Sequence, residues 1–227
     1  QMIFWTFKFP EYFSNIDLFK LNTNTLKIVI LTSLILIILS TITNFSIRVL
    51  KSKLLNIISI FSISGYAIPG IIISVSILSF LSFLDDLFVL NLKNIFIGTI
   101  SGLVLGYFLR FYSISFNGIK ASYVNINDSV DETSYLLGYK KYQTFFKVHF
   151  PFLFKNLTLI FLLISIEVLK ELPITLILRP FNFETFSTTA YNFASQDLIE
   201  ASALPSLFLI LWTSIFIIIY LKYSNDK

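Results

Sequence analysis

The sequence has no cysteine, a single histidine and few charged residues. Without cysteine the chain can form no disulfide, no thiolate metal site and no cysteine nucleophile. One histidine, His149, argues against a histidine-built metal centre, and we expect no metal site. Asp, Glu, Lys and Arg make up 13% of the residues, about half of the ~25% that a soluble domain carries. These shortages exclude a soluble globular domain, a disordered chain and a nucleic-acid-binding module.

What the sequence does contain is long apolar and aromatic runs. Hydrophobic residues make up 56% of the chain, with 26 Phe and 11 Tyr. A membrane-spanning helix needs about 20 mostly apolar residues, and lipid does not tolerate open strands with unpaired backbone groups. We therefore predict an all-α integral membrane protein with about five transmembrane helices. The predicted spans cover about 28–47, part of 54–84, 94–109, 152–169 and 201–221.

The distribution of Lys and Arg predicts the orientation of the spans. Eleven basic and four acidic residues, a net +7, fall on the side that holds the loops after spans one and three and the C-terminus. Arg110, directly after span three, is counted there, as are Asp226 and Lys227. Six basic and nine acidic residues, a net −3, fall on the opposite side. Because cytoplasmic loops are enriched in Lys and Arg, we predict an outside N-terminus and an inside C-terminus.

Two predicted spans contain residues that shape helices. Pro69-Gly70 lies in the middle of the second apolar run and should kink or break its helix, with a gate as the alternative role. The third span has Gly98, Gly102 and Gly106 at intervals of four, which predicts one helix face for close packing. A pore-lining role is the alternative for these glycines.

Ionisable residues are scarce in the predicted spans. Glu167 and Lys170 are the charges that we place near a span interior, whereas secondary transporters and proton pumps place such groups at mid-membrane. A hydrolytic site would need a cluster of His, Asp or Glu at depth. We therefore expect no catalytic residues in this chain, and an energy source in another subunit.

The loop between spans three and four has the pattern of two short helices. Ser129 and Glu132 fit a capping box at the start of the first helix, Leu136 and Leu137 give it an apolar patch, and Gly138 should end it. A second short segment, 139–150, should precede Pro151 in the first turn of span four. An exposed apolar patch of this kind predicts a binding partner.

This loop resembles the EAA loop of ABC importer permeases. That pattern is Glu-Ala-Ala, three residues, Gly, nine residues and Ile-x-Leu-Pro, and the spacing here matches it without a gap. The matching residues are Glu132, Thr133, Ser134, Gly138, Val148, Phe150 and Pro151. The resemblance implies a type I ABC importer permease core and a cytoplasmic coupling helix that docks on an ATPase subunit. ATP and Mg would then be bound by that partner, with no cofactor in this chain.

The segment after span four is apolar but has two prolines within eight residues. We expect Leu178 and Arg179 to be extended before Pro180 and the segment to pack on the bundle at the outer membrane surface. It resembles the KELP-x-TL-x-LRP-x-x-F-x-TLAT-x-x-Y signature of ferric-iron ABC importer permeases. The resemblance implies an outer gate or a binding-protein contact, and the alternative is salt bridging at the membrane surface. The residues concerned are Lys170, Glu171, Pro173, Arg179, Pro180, Glu184 and Tyr191.

The resemblance sets the expected organisation of the chain. Residues 1–23 would form an external segment and 24–227 the permease domain, with a cytoplasmic coupling loop at about 121–151 and an external segment at about 170–191. The ferric-iron family usually has two such halves in tandem, so we expect the C-terminal half of a duplicated permease, or a homodimer. His149 is expected to be an interface or packing residue.

The resemblance also implies a function and its partners. The expected function is a permease subunit of an ATP-driven, binding-protein-dependent importer for ferric iron in the bacterial cytoplasmic membrane. The expected partners are cytoplasmic ABC ATPase subunits, a periplasmic or lipoprotein substrate-binding protein, a second permease half and membrane lipid, with no nucleic acid. The alternatives are an importer for thiamine, a polyamine or a phosphonate, and a passive channel or membrane scaffold.

Overall fold

The computed structural model describes residues 1–13, 16–51, 53–88 and 91–225, and all regular structure within these ranges is helical. The predicted all-α class is therefore confirmed. Asp226 and Lys227, which enter the charge count above, lie outside the described residues. Short 3₁₀ segments at Pro10–Phe13 and Ser64–Ala67 and a π-turn at Phe145–His149 accompany the α-helices. The α-helices are α1 (Met2–Lys8), α2 (Leu18–Leu50), α3 (Lys53–Ile63), α4 (Gly70–Phe88), α5 (Leu92–Phe96), α6 (Ile100–Val124), α7 (Asp128–Leu136), α8 (Lys141–Thr144), α9 (Phe150–Lys170), α10 (Pro173–Leu178), α11 (Phe186–Ala194) and α12 (Ala203–Asn225).

Within the described ranges, four helical stretches are long and apolar enough to cross a membrane. They are α2, α4, the continuous helix Lys141–Lys170 that includes α8 and α9, and α12. The third predicted span, 94–109, differs from the prediction, because its helix begins at Ile100 rather than near residue 94 and continues to Val124. Arg110 therefore lies within α6 and not after it. The chain is a multi-pass membrane protein.

The centre of the bundle is formed by α2, α6 and α9, which pack against one another. Small polar side chains join them: Ser33 Oγ lies 3.1 Å from Ser165 Oγ, and Ser115 donates to the Leu36 carbonyl at 3.1 Å. Asn44 donates to the Phe116 carbonyl at 3.2 Å. Lipid gives apolar helices little hydrophobic reason to associate, so small side chains and interhelical hydrogen bonds hold such contacts. Buried aromatic and aliphatic residues fill the remaining space, among them Tyr107, Phe111, Leu103, Ile119, Leu153 and Ile164.

The second apolar run is broken before α4, as Pro69 predicts. α3 ends at Ile63, the 3₁₀ segment follows, and α4 begins at Gly70. Proline cannot donate a backbone hydrogen bond and disfavours helix in the residue before it. The 3₁₀ segment packs directly on α6, because a Cβ at Gly65 would lie 2.0 Å from the Leu109 carbonyl oxygen.

The three glycines at intervals of four do not form one helix face, so that prediction is wrong. Gly98 lies in the turn before α6 with φ +66°. Gly102 lies against the carbonyl of Phe96, the last residue of α5, and Gly106 lies against side chains of α10 and α4. A spacing of four residues does not show where a helix begins, and Gly98 precedes the first residue of α6.

Candidate functional site

The loop between α6 and α9 is a helix-turn-helix, as predicted, but its first helix begins earlier than expected. α7 starts at Asp128 with Asn127 at the N-cap position. The predicted capping box at Ser129 and Glu132 is therefore wrong, since Ser129 is the second helical residue. Glu132 and Thr133 are exposed on α7, and Ser134 is buried. Glu132 is thus available to solvent or to a partner.

Gly138 ends α7 in a Schellman turn. Its φ is +82°, the Tyr139 N–H donates to the Ser134 carbonyl at 3.0 Å, and the Gly138 N–H donates to the Tyr135 carbonyl at 2.9 Å. No described atom lies within 4 Å of the place where a Cβ at Gly138 would stand. Glycine is therefore required here by the left-handed backbone conformation.

The second part of the loop runs directly into the next membrane helix. We expected a separate short segment before Pro151, but α8, the π-turn and α9 form one helix, Lys141–Lys170. Pro151 cannot donate to a carbonyl one turn earlier, and the π-turn directly before α9 adapts the helix to it. Val148 is half-buried in the π-turn, whereas Phe150 and Pro151 are exposed.

Exposed apolar side chains form a patch on this loop. Leu136 and Leu137 are 88% and 71% exposed. Tyr142 in α8 and Phe146 in the π-turn are also exposed. On the buried face of the loop, Ser134 Oγ lies 2.9 Å from Thr144 Oγ1, and both residues are buried. The loop is thus fixed on one side and presents apolar side chains on the other.

The segment after α9 lies deeper in the bundle than expected. A Cβ at Gly106 would lie 2.7 Å from Ile174 and 2.8 Å from Leu178, so α10 packs on α6 about 9 Å from the N-terminal end of that helix. Leu178 is the last residue of α10, which contradicts its expected extended conformation, and Arg179 is extended as predicted. The segment is inserted between α4 and α6 rather than laid on the surface of the bundle.

The remaining residues of this segment form partly exposed polar contacts. Lys170 pairs with Glu167 at 2.6 Å, and Arg179 forms an ion pair with Glu184. Pro173 is the first residue of α10, Pro180 follows that helix, and Tyr191 lies exposed on α11. Glu184 also accepts a hydrogen bond from Thr188 Oγ1 at 2.8 Å. The contacts of Glu184 with Arg179 and Thr188 hold the connection from α10 to α11 in place, whereas the Lys170–Glu167 pair lies within α9.

An ion pair inside the bundle was missed in the sequence. Arg110 Nε lies 3.1 Å from Glu171 Oε2, with Glu171 8% exposed, and Arg110 Nη1 donates to the Ile68 carbonyl at 2.8 Å. A Cβ at Gly70 would lie 2.7 Å from Glu171 Oε1. The pair therefore joins α6, the start of α4 and the junction of α9 and α10.

This ion pair corrects two expectations. Arg110 does not lie in a loop, because it stands within α6 and pairs with Glu171. Glu167 and Lys170 are not the only charges near a span interior. Without Arg110, the predicted inner side still has ten of the 17 Lys and Arg residues, so the predicted orientation is unchanged. The signal in the sequence was a lone Arg in an apolar run that continues for several residues beyond it.

A neutral contact lies beside the ion pair. Tyr107 Oη lies 2.6 Å from Thr175 Oγ1, and Thr175 Oγ1 donates to the Glu171 carbonyl at 2.6 Å. In the described ranges, no three His, Asp or Glu side chains are grouped as a metal site would require. The chemistry that this region offers is charge pairing and hydrogen bonding between helices.

Comparison with known proteins identifies relatives of the chain. No protein-family model matches it. It is similar to a ferric transport system permease protein of Actinobacillus pleuropneumoniae, with 30% identity over 176 residues, 73% of this chain and 25% of the relative. Two proteins of Haemophilus influenzae are also similar. One, named as a ferric transport system permease, is 32% identical over 128 residues, 55% of this chain and 20% of the relative. The other, named as an Fe(3+)-transport system permease, is 22% identical over 160 residues, 70% of this chain and 30% of the relative.

These matches cover a limited part of the relatives. The chain spans between a fifth and a third of the length of the curated relatives that it matches. Each match nevertheless extends over more than half of this chain. The relationship predicted from the two sequence motifs is confirmed: the chain is related to ferric transport system permeases.

Proposed function

We propose that this chain is the membrane-spanning part of an ATP-driven, binding-protein-dependent importer for ferric iron. The observation that carries the proposal is the helix-turn-helix with its exposed apolar patch, in a chain related to ferric transport permeases. Protein surfaces in contact with water rarely expose such an apolar patch unless it binds a partner. A cytoplasmic ATPase that binds ATP and Mg is the partner that we assign to it. This chain supplies the path and the moving helices, and takes no part in ATP hydrolysis.

The two candidate sites belong at opposite faces of the membrane in this proposal. α9 connects them, and its 21 residues extend about 31 Å, close to the thickness of the hydrocarbon core. The coupling loop would be cytoplasmic. The 170–191 segment would face the outside, where a periplasmic or lipoprotein binding protein delivers iron. A second permease half, or a second copy, would complete the path in the cytoplasmic membrane.

Replacing both Leu136 and Leu137 by Ser tests the assignment of the patch. We expect at least a tenfold loss of ATPase co-purification from the full-length permease and a matching loss of ferric-iron uptake. Each Leu buried at an interface contributes about 1.5–3 kcal/mol, and 1.4 kcal/mol is tenfold in affinity. Val124→Ser is the control, because Val124 is 78% exposed at the end of α6, outside the patch. Failure of any ATPase to co-purify with the unmodified protein would refute the proposed function.

Single cysteines test the proposed orientation. Ser129 and Ser195 are both exposed, so Ser→Cys is a small change at each position of this cysteine-free chain. In intact cells, a membrane-impermeant thiol reagent should label Ser195→Cys and should reach Ser129→Cys only after the membrane is permeabilised. Labelling of Ser129→Cys from outside would reverse the orientation.

A further inference from the structure

A buried charged network connects the coupling loop to two long helices. Asp131 on α7 accepts a hydrogen bond from Arg48 Nε through Oδ2 at 2.6 Å, and its Oδ1 lies 2.5 Å from His149 Nε2. The side chains of Arg48 and Asp131 are each 13% exposed, and that of His149 is fully buried. Arg48 lies in the last turn of α2, and His149 ends the π-turn before α9. One carboxylate is therefore shared between both helices.

The orientation of each partner is fixed by further contacts. Arg48 also donates to the backbone carbonyls of Asn127 at 3.0 Å and Tyr123 at 3.4 Å, at the two ends of the α6–α7 connection. The ring of Tyr123 lies edge-on to the His149 ring at 5.5 Å. Because an ionised carboxylate only accepts hydrogen bonds, His149 donates from Nε2. Both oxygens of the Asp131 carboxylate thus have a partner, whereas the second ring nitrogen of His149 and the Tyr123 hydroxyl are buried without a hydrogen-bond partner among the described residues.

The position of the charges in their helices also favours this arrangement. Asp131 lies in the first turn of α7 and Arg48 in the last turn of α2, where the respective helix dipoles stabilise them. Exposed ion pairs contribute little, whereas loss of one partner of a buried pair is strongly unfavourable. Displacement of α7 must therefore carry α2 and α9 with it or break the network.

We infer that Asp131 is a positioning residue that transmits displacement of the coupling loop to α2 and α9 through Arg48 and His149. This inference rests on the proposed function. The apolar patch and the network have separate tasks: the patch binds the partner, and the network moves the membrane helices. The π-turn supports this division, since such turns are places where a helix changes direction.

Asp131→Asn separates transmission from docking. The side chain keeps its shape and loses its charge. In the full-length permease assembled with its ATPase, we expect co-purification to change by less than twofold and ferric-iron uptake to fall at least tenfold. ATP hydrolysis should change by less than threefold, so the iron transported per ATP falls. Asp131→Glu, which restores the charge, should recover part of the uptake.

Asp128→Asn is the matched control. Asp128 lies on the same helix and 3.3 Å from the same Arg48, but its side chain is 76% exposed. This variant should differ from the unmodified permease by less than twofold in every measurement. Equal uptake per ATP in the Asp131→Asn and Asp128→Asn variants would overturn the inference.

Two other outcomes are also decisive. A joint loss of ATPase binding and uptake in Asp131→Asn would mean that the network only holds the patch, which overturns the inference and leaves the proposed function intact. If Asp131→Asn does not accumulate in the membrane, His149→Gln applies the same test, because Asp131 then keeps its pair with Arg48. Unchanged uptake per ATP in His149→Gln would equally overturn the inference.

Discussion

Gly102→Ala should prevent the folded chain from accumulating in the membrane. Gly102 lies in the first turn of α6, and a Cβ there would lie 1.8 Å from the Phe96 carbonyl oxygen and 2.8 Å from its carbon. These are backbone atoms of the last residue of α5, so no side-chain rotation relieves the clash. Overpacking costs about 1–3 kcal/mol, and a backbone clash belongs at the upper end of that range or above it. The measurements are the amount in the membrane fraction and the apparent Tm in detergent.

The control for this change lies on the same helix. Asn117 is exposed on α6, and Asn117→Ala should alter stability by about 0.5 kcal/mol or less, as surface substitutions usually do. Equal membrane levels and equal Tm for the two variants would contradict this prediction, because the backbone at Phe96 would then shift to accommodate a side chain at Gly102.

Glu171→Gln should be the most damaging change of a single charge in the bundle interior. It leaves the Arg110 guanidinium without its carboxylate, and removal of one partner of a buried pair costs about 3–5 kcal/mol. Arg110→Met should lower the free energy of unfolding by a similar amount, since Glu171 is then the unpaired charge. The double variant should be less damaged than the sum of the two, because neither charge remains. The measurement is the apparent Tm of the unmodified protein, the two single variants and the double variant, which together form a double-mutant cycle.

The neighbouring ion pair provides the comparison. Glu167 pairs with Lys170, whose side chain is 58% exposed, and Glu167→Gln should cost no more than about 1 kcal/mol. Additive losses in the double variant at Arg110 and Glu171 would contradict the interpretation of these residues as one interacting pair.

The parts of the fold that the sequence predicts are those governed by local chemistry. Long apolar runs identify the four membrane-length helices found among the described residues, because lipid requires a minimum length of apolar helix. Pro69 marks a break because proline cannot donate a backbone hydrogen bond, and Gly138 marks a turn because glycine tolerates a positive φ. The spacing from Glu132 through Gly138 to Pro151 identified the loop because Gly138 ends α7 and Pro151 lies in the first turn of α9.

The parts that escaped prediction depend on partners far away in sequence. A charge in an apolar run suggests the end of a span, but α6 continues past Arg110 because Glu171, on another helix, neutralises it. The start of α7 was misplaced because Asn127, Asp128 and Ser129 are all favourable N-cap residues in a row. The site was thus predictable as a loop and not as a set of contacts.

The π-turn at Phe145–His149 also determines the direction in which the coupling loop points. A π-turn spans one residue more than an α-turn, and each residue in a helix turns the chain by about 100°. Loss of one residue from this stretch would restore a regular helix and rotate α8 about its axis relative to α9. Thr144 would then face away from Ser134, to which it now lies at 2.9 Å. The direction in which the loop faces any partner therefore depends on the number of residues in this segment.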